Sequence, residues 1–526
     1  MNTAHKLVEI LEENGVEYIF GIPGEQIIPF YEALEKSHIK HILMRHEVAA
    51  AHAADAYTRI TGKVGVCVST AGPGALNLVM GVATAYKDRV PILVITGDNP
   101  TYNKYSNEFQ SFPLNDVFED ITFRSYDPAN GSEAITNLYE IFDAFEVYPR
   151  GPKHLNLSKD ILTETDYEVR KRNYIANFDY ENLDIVQDVI NNASKPLLLL
   201  GSGANKSRDK IVDIVRKHNI PVLTTFTAKG IIDDYEQINL GLAGIRGSDR
   251  SDYAIENSDC IIALGTRLTS RTIPNIDDIE DKLIHVNIND QILVGDYPIQ
   301  GRVEVFLDSI EFNGDYKQWA NEILDIPPTL YTEGIHDDSI PLRPQSAIYS
   351  IHKYFDDNII VNDAGSHTSW TTLLKTSNSA YKLLYSGGFA PMGYGVPGAI
   401  GASVAFPDEP VIVINGDGGF QMNLQELATI KQYGLNIIIF ILNNSELGII
   451  RQYEERRYDM KPYETELINP DFVRLAESYG IEATKIQTKK ELELFLEENQ
   501  NSRKPHVVEI IVSREDTPQP RHQESE

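Results

Sequence analysis

Two oxygen-bearing side chains stand at the ends of neighbouring apolar runs in the last third of the chain. Val-Ile-Val-Ile at 411–414 leads through Gly416-Asp417-Gly418-Gly419 into an amphipathic segment, Leu424 to Tyr433. A second apolar run, Ile437 to Leu442, then ends at Asn443-Asn444. The pattern reads as strand, glycine-rich turn, helix and strand. In a parallel sheet such strand ends lie side by side on the edge where ligands bind. Asp417 and Asn444 can then share one hard cation through oxygen, and Gly416, Gly418 and Gly419 let a phosphate approach the backbone. A Gly-Asp-Gly triplet alone is usually only a turn. The Asn-Asn pair at the next strand end is what gives this one a chemical meaning.

A second group is Arg45-His46-Glu47, at the start of a helix that follows a strand. Glu47 precedes Val48 and the small residues Ala49, Ala50, Ala51, Ala53 and Ala54, so its carboxyl group is expected to be partly desolvated. A glutamate in the first turn of a helix also has a purely structural explanation, because the macrodipole favours it there. On its immediate neighbours alone the structural explanation is the stronger, and the presence of the Asp417/Asn444 motif in the same chain reverses that.

The elements that must position these groups fall into three α/β blocks. In residues 1–165 helix-like and strand-like segments alternate: helix 3–14, strand 18–20, a helix after Pro23-Gly24, strand 41–44, helix 47–61, strand 64–69, helix 75–87 and strand 92–95. Such alternation implies βαβ units and a doubly wound parallel sheet. Residues 162–184 are charged and rich in Tyr and Asn, and read as a linker. Residues 185–310 form a second, smaller block with strands at 196–200, 222–225, 260–264 and 283–286; 196–200 enters the turn Gly201-Ser202-Gly203. A polar linker over 311–343 leads to the third block, 344–515, which holds Asp417 and Asn444. Residues 517–526 are rich in Pro, Gln and Glu and are expected to be disordered. Blocks one and three share the order strand, glycine-rich turn, helix, a weak sign of duplication.

The formal net charge of −30 argues against nucleic acid or an anionic membrane as the main partner. Cys67 and Cys260 sit far apart in apolar runs and are expected to be buried free thiols in a reducing compartment. The first residues carry no secretory pattern, and 437–442 is too short to span a bilayer. A cytoplasmic enzyme is the expectation.

With these motifs in order the chain resembles the acetohydroxyacid synthase (acetolactate synthase) branch of the thiamine diphosphate enzymes. Gly21-Ile22-Pro23-Gly24, Arg45-His46-Glu47, Ala56-Tyr57-Thr58-Arg59 and Thr70 through Asn77 match its first domain, and Phe109-Gln110 its glutamine motif. Gly244 through Gly247 and Gly265-Thr266-Arg267 echo its central domain, and Gly387-Gly388 with Pro391 through Gly395 its cofactor turn. The resemblance implies thiamine diphosphate and Mg²⁺ as cofactors. It implies Asp417, Asn444 and the Glu446 carbonyl as metal ligands. The cofactor would be bound by Pro23, Gly24, Glu47, Gly388, Met392, Gly416, Gly418, Gly419, Leu447 and Gly448. Glu47 is implied as the catalytic carboxyl on the aminopyrimidine, Gln110 as a catalytic polar group near reacting oxygens, and Met392 as the support of the cofactor. Arg267, Ile450 and Tyr453 are candidates for substrate contact. Each site would be shared by the first and third domains of two subunits, making a homodimer the minimum and a homotetramer the larger assembly.

Three departures bear on function. Tyr453 stands where the family carries a tryptophan that favours 2-ketobutyrate. Thr122-Phe123 replaces Thr-Lys after the glutamine motif. The segment Gly265 to Arg271 lacks the acidic pair, and Ile288-Asn289 stands where Asp is usual, which argues against FAD. The leading expectation is a decarboxylating carboligase of 2-keto acids, acetolactate synthase-like. The alternatives are a non-carboligating 2-keto acid decarboxylase, a pyruvate oxidase-type flavoenzyme and a silent thiamine diphosphate-binding protein.

Overall fold

The computed structural model describes the chain except residues 105, 147–149, 168–179, 181, 329–330, 376–381, 516 and 519–526. Three parallel six-stranded sheets, each flanked by helices, follow one another along the chain. The first holds β1 (Tyr18–Gly21), β2 (Lys40–Leu43), β3 (Gly65–Ser69), β4 (Ile92–Asp98), β5 (Arg124–Tyr126) and β6 (Lys153–Ser158) in the order β2-β1-β3-β4-β6-β5. The second holds β7 (Pro196–Leu200), β8 (Val222–Thr224), β9 (Asn239–Leu242), β10 (Cys260–Leu264), β11 (Leu283–Asn287) and β12 (Tyr297–Gln300), ordered β12-β11-β10-β7-β8-β9. The third holds β13 (Ile360–Asn362), β14 (Leu383–Leu384), β15 (Val411–Gly416), β16 (Ile437–Asn443), β17 (Glu482–Ile486) and β18 (His506–Ile511), ordered β14-β13-β15-β16-β18-β17. The third order repeats the first strand for strand. The expected doubly wound α/β class is the one observed.

The central strands are continuous apolar runs because helices cover both faces of each sheet. β3, β7, β10 and β16 are buried along their whole length. Cys67 and Cys260 are buried free thiols on β3 and β10, as expected. Both are held un-ionised by burial, which pushes each thiol up to about 12.

The first and third domains share one hydrophobic core. Its centre is the contact between two helices of small residues, Glu47–Thr61 and Gly395–Ala405. A Cβ on Gly401 would lie 2.1 Å from the Ala53 carbonyl oxygen, so glycine is what lets the backbones meet. Polar groups lock this contact. Tyr394 Oη donates to Asp55 Oδ1 at 2.7 Å, and the Arg59 guanidinium spans Asp55 at 2.6 Å and Asp88 at 2.8 Å.

Three expectations are corrected. The polar linker over 311–343 contains a helix, Lys317–Leu324. Trp319, Ala320 and Ile323 bury one face of it on the second core, with Trp319 Nε1 donating to the Pro196 carbonyl at 3.1 Å. The expected disordered tail begins as ordered chain: Thr517 is buried, and its N–H and hydroxyl both donate to Gln452 Oε1. Residues 519–526 lie outside the described residues. The helix expected over 75–87 is interrupted at Leu78, between Pro73–Asn77 and Val79–Asp88.

Gly401→Ala should lower the thermal midpoint, since the added methyl has no room and overpacking costs about 1–3 kcal/mol. A melting curve superimposable on wild type would show that these helices do not touch in solution.

Candidate cofactor and active site

In a sheet of the order found in the first and third domains, the strand direction of travel reverses between β1 and β3, and again between β13 and β15. Loops leaving such a point diverge and open a crevice. In the third domain those loops are 363–367 after β13 and the glycine turn after β15.

Asp417 starts the short helix Asp417–Phe420 directly after β15 and is 2% exposed. Its Oδ2 accepts from Ser445 N–H at 3.0 Å and from Asn469 Nδ2 at 2.6 Å. Burial pushes its carboxyl above the usual carboxylate range, against the pull of these hydrogen bonds. Among the described residues no Lys, Arg or His pairs with it, and no group of three His, Cys, Asp or Glu gathers as a metal site. A buried carboxylate without a protein cation suits a hard metal ion completed by amide and carbonyl oxygens.

β16 delivers those oxygens. Gly416 pairs with Leu442 in register, which sets Asp417 beside the Asn443-Asn444 turn. Ser445 has a left-handed backbone (φ 56°) that folds the chain back sharply. Asn444 Oδ1 accepts from Glu446 N–H at 3.2 Å. A flap over 464–469 closes the turn: Leu467 N–H donates to the Ser445 carbonyl and Leu447 N–H to that of Thr465.

The neighbouring loop supplies groups that the sequence reading missed. His367 is buried, and among the described residues its Nε2 has no partner. The ring lies 3.4 Å from where a Cβ on Gly416 would stand. Burial drives its pKa down to about 4, so the imidazole is neutral. Asp363 accepts from the backbone N–H groups of Gly393, Gly395 and Ala364 and so fixes the turn that carries Met392. Met392 Cε, Leu447 and Leu467 converge within 3.4 Å of a Cβ placed on Gly418. An orphaned imidazole nitrogen, a glycine cradle and an apolar shelf together fit a diphosphate with an aromatic head.

In the first domain Glu47 is 8% exposed at the start of its helix. Asn77 Nδ2 donates to its Oε2 at 2.9 Å, and a Cβ on Gly74 would lie 3.2 Å from its Oε1. Gly24 packs on Thr70, and Gly72 on the Gln110 backbone. Gln110 itself has φ 60°, a left-handed conformation that costs a non-glycine residue energy. Pro23, Gly24, Glu47 and Gln110 therefore gather at one edge of the first sheet. Among the described residues no hydrogen bond or ion pair joins them to Asp417, Asn444 or Met392 of the same chain.

The remaining candidates lie apart. Arg267 Nη1 donates to the Lys87 carbonyl at 2.9 Å, with Asp88 3.8 Å away and Gly388 packed beside it. Ile450 and Tyr453 are on the helix Gly448–Arg457; Tyr453 is 37% exposed, with the Arg457 guanidinium 4.3 Å from its ring. In the central domain the order reverses between β7 and β10, and the two glycine turns that leave this point touch. Gly203 N–H donates to the Gly265 carbonyl, and a Cβ on Gly201 would lie 2.3 Å from the same oxygen.

The chain matches three family models in succession. Residues 1–118 match the thiamine pyrophosphate enzyme N-terminal TPP binding domain, 183–310 the central domain and 363–510 the C-terminal TPP binding domain. It is 34% identical to the probable acetolactate synthase large subunit of Methanococcus aeolicus over 97% of this chain and 92% of that protein. It is 34% identical to the acetolactate synthase of Arthrospira platensis, over 98% and 94%. It is 33% identical to the acetolactate synthase large subunit of Lactococcus lactis, over 97% and 92%.

The backbone leading into Glu47 is held by the third domain. Glu426 accepts from the N–H groups of Arg45 and His46, each at 3.0 Å, and from the Thr429 hydroxyl. Burial pushes the Glu426 carboxyl up to about 7. The folded chain therefore keeps a proton that the unfolded chain has released, and this contribution to stability is lost as pH rises from about 4.5 through 7. Buried histidines such as His52 and His154, pushed down to about 3, act in the opposite sense below 6.5. The comparison with Glu426→Gln isolates one group: wild type should gain stability relative to the variant as pH falls from 8 to 5. Parallel melting-temperature profiles would refute this.

Proposed function

The chain belongs to the thiamine pyrophosphate enzymes, in the acetolactate synthase large-subunit family, and from that premise we propose that it joins two 2-keto acids with loss of CO₂. Two pyruvates giving acetolactate is the default reaction. The observation that carries this reading is the buried Asp417 carboxylate without a protein cation, set beside the orphaned His367 Nε2 at the same crevice.

Asp417 and Asn444 would hold Mg²⁺ through side-chain oxygens and Glu446 through its carbonyl. Gly416, Gly418 and Gly419 would receive the diphosphate through backbone N–H groups, with His367 facing it. Met392, Leu447 and Leu467 offer the apolar support. The bound cofactor supplies a nucleophilic carbon for the keto carbonyl and an acceptor for the electrons left when CO₂ departs. Every other task falls to the chain. Asn77 occupies Glu47 Oε2, which leaves Oε1 to hold or release a proton at the aminopyrimidine nitrogen N1′. Gln110 stands ready as the polar partner of substrate oxygens, its strained backbone fixed by contact with Gly72.

The active unit in this reading is a homodimer, with Glu47 of one protomer completing the Asp417 site of its partner. Exposed apolar side chains on both domains support it: Met80, Phe109 and Phe112 on the first, Met422 and Ile468 on the third. Flavin has no part in the reading, because the segment Gly265 to Arg271 lacks the acidic pair and Ile288-Asn289 stands where Asp is usual.

Purified protein with thiamine diphosphate, Mg²⁺ and pyruvate should yield acetolactate by mass spectrometry. Acetaldehyde as the sole product, or peroxide with acetate, would overturn the carboligase. The half-exposed Tyr453 phenol should give little preference for 2-ketobutyrate over pyruvate as acceptor, because one methylene is worth about 1–3 kcal/mol, roughly 10–200-fold, only in a closed apolar pocket. Competition at equal concentrations tests this; a strong excess of acetohydroxybutyrate contradicts it. If Tyr453→Trp leaves the product ratio unmoved, this residue does not line the acceptor pocket.

A further inference from the structure

The Glu446 side chain is placed as carefully as its carbonyl, and the metal reading gives it no task. Its carboxylate is 1% exposed. Oε1 meets Arg451 Nε at 3.1 Å and Oε2 meets Arg514 Nε at 3.4 Å. The two arginines come from different elements: Arg451 from the helix Gly448–Arg457, Arg514 from the segment after β18. Arg514 also reaches the Asn444 carbonyl at 3.4 Å and Glu466 at 3.2 Å. Glu466 bridges Glu446 in an antiparallel backbone contact, on the flap that closes the turn. Two arginines and two glutamates therefore wrap the Asn444–Glu446 turn.

The inner member of this wrap faces Asn444. Asn444 Nδ2 lies 3.5 Å from Glu446 Oε1. Glycine at 448 keeps the approach open, since a Cβ there would be 3.2 Å from Asn444 Nδ2 and 3.3 Å from Glu446 Oε1. A carboxylate oxygen accepts, so the carboxamide turns its NH₂ end toward it, while its Oδ1, which accepts from the Glu446 N–H at 3.2 Å, keeps a second lone pair for a cation. A carboxamide oxygen can bind a cation, whereas its NH₂ end cannot. The two arginines offset the buried negative charge and keep the carboxylate in place.

We propose that the Glu446 carboxylate, braced by Arg451 and Arg514, is a positioning residue that fixes the Asn444 carboxamide with its oxygen toward the cation. The inference rests on reading Asp417 and Asn444 as the Mg²⁺ site. The brace also ties that turn to the helix carrying Ile450 and Tyr453, so the metal site and the candidate acceptor wall are held by one ionic cluster.

The test is calorimetric binding of thiamine diphosphate to the full chain, with Mg²⁺ titrated. Glu446→Gln removes the charge and presents an NH₂ that lets the Asn444 amide turn over. It should raise the Mg²⁺ concentration for half-maximal binding by about 10–100-fold, the usual effect of losing a partner that orients a metal ligand. Arg514→Gln should shift it in the same direction. The double variant should be no worse than the worse single, because both changes act on one contact. Asp417→Ala serves as the reference and should abolish binding. Loss in Asp417→Ala with Glu446→Gln within twofold of wild type overturns the positioning role alone, as do shifts that multiply in the double variant. Wild-type binding by Asp417→Ala overturns the cation site, and the proposal with it. Melting of each variant without cofactor checks the fold; should Glu446→Gln not fold, an unshifted Arg514→Gln is sufficient to reject the proposal.

Discussion

A carboxylate removed from water and given no protein cation is the constraint around which the third domain is arranged. Burying such a charge unpaired is costly, and a protein tolerates it only where hydrogen bonds and a ligand make up the loss. Asp417 receives N–H groups from Ser445 and Asn469, residues brought to it by the left-handed turn after β16 and by the returning flap. The register of β15 on β16 decides that these groups arrive at the same level of the sheet. Asp363 plays a complementary part at the adjacent strand end, where the N–H groups of Gly393 and Gly395 tie the Met392 turn to its carboxylate and burial keeps its pKa up at about 6.

The first and third sheets have the same strand order and divide the chemistry. In the proposed reading the third domain would hold the cation and the diphosphate, and the first would supply the proton-handling carboxyl on a helix of small residues. That helix packs on Gly395–Ala405 so closely that glycine is required at 401. The same packing brings Glu426 to the backbone of Arg45 and His46, so the third domain of a chain sets where the Glu47 helix begins. The central sheet has a different order, and the turns at 201–203 and 265 touch at its own switch point. Its Arg267 lies against Lys87 and Asp88 of the first domain.

Much of this was legible because it is local. Asp417 and Asn444 stand at ends of unbroken apolar strands, and the helix 47–61 begins and ends where its alanine run and Gly62 indicate. The groups that escaped notice depend on contacts between distant segments. His367 and Asp363 follow a strand of only three residues, and their place at the crevice follows from sheet order, which sequence spacing does not encode. Asn469 reaches Asp417 across 52 residues, and Asn77 reaches Glu47 across 30. The helix 317–324 was hidden in a stretch whose Asp, Pro and Gly content suggested a linker, although Trp319, Ala320 and Ile323 have the spacing of one buried face. Thr517 is ordered by Gln452 rather than by anything in the tail's own composition.

In the proposed reading Glu47 and Asp417 act in one site built from two copies of the chain. Mixing two inactive variants, Glu47→Gln and Asp417→Ala, tests it directly. A mixed dimer would combine both lesions in one site and leave the other intact, so acetolactate formation should return on subunit exchange although neither variant alone supports it. A mixture that forms mixed dimers, established by mass spectrometry, yet remains as inactive as its parts would contradict the shared site.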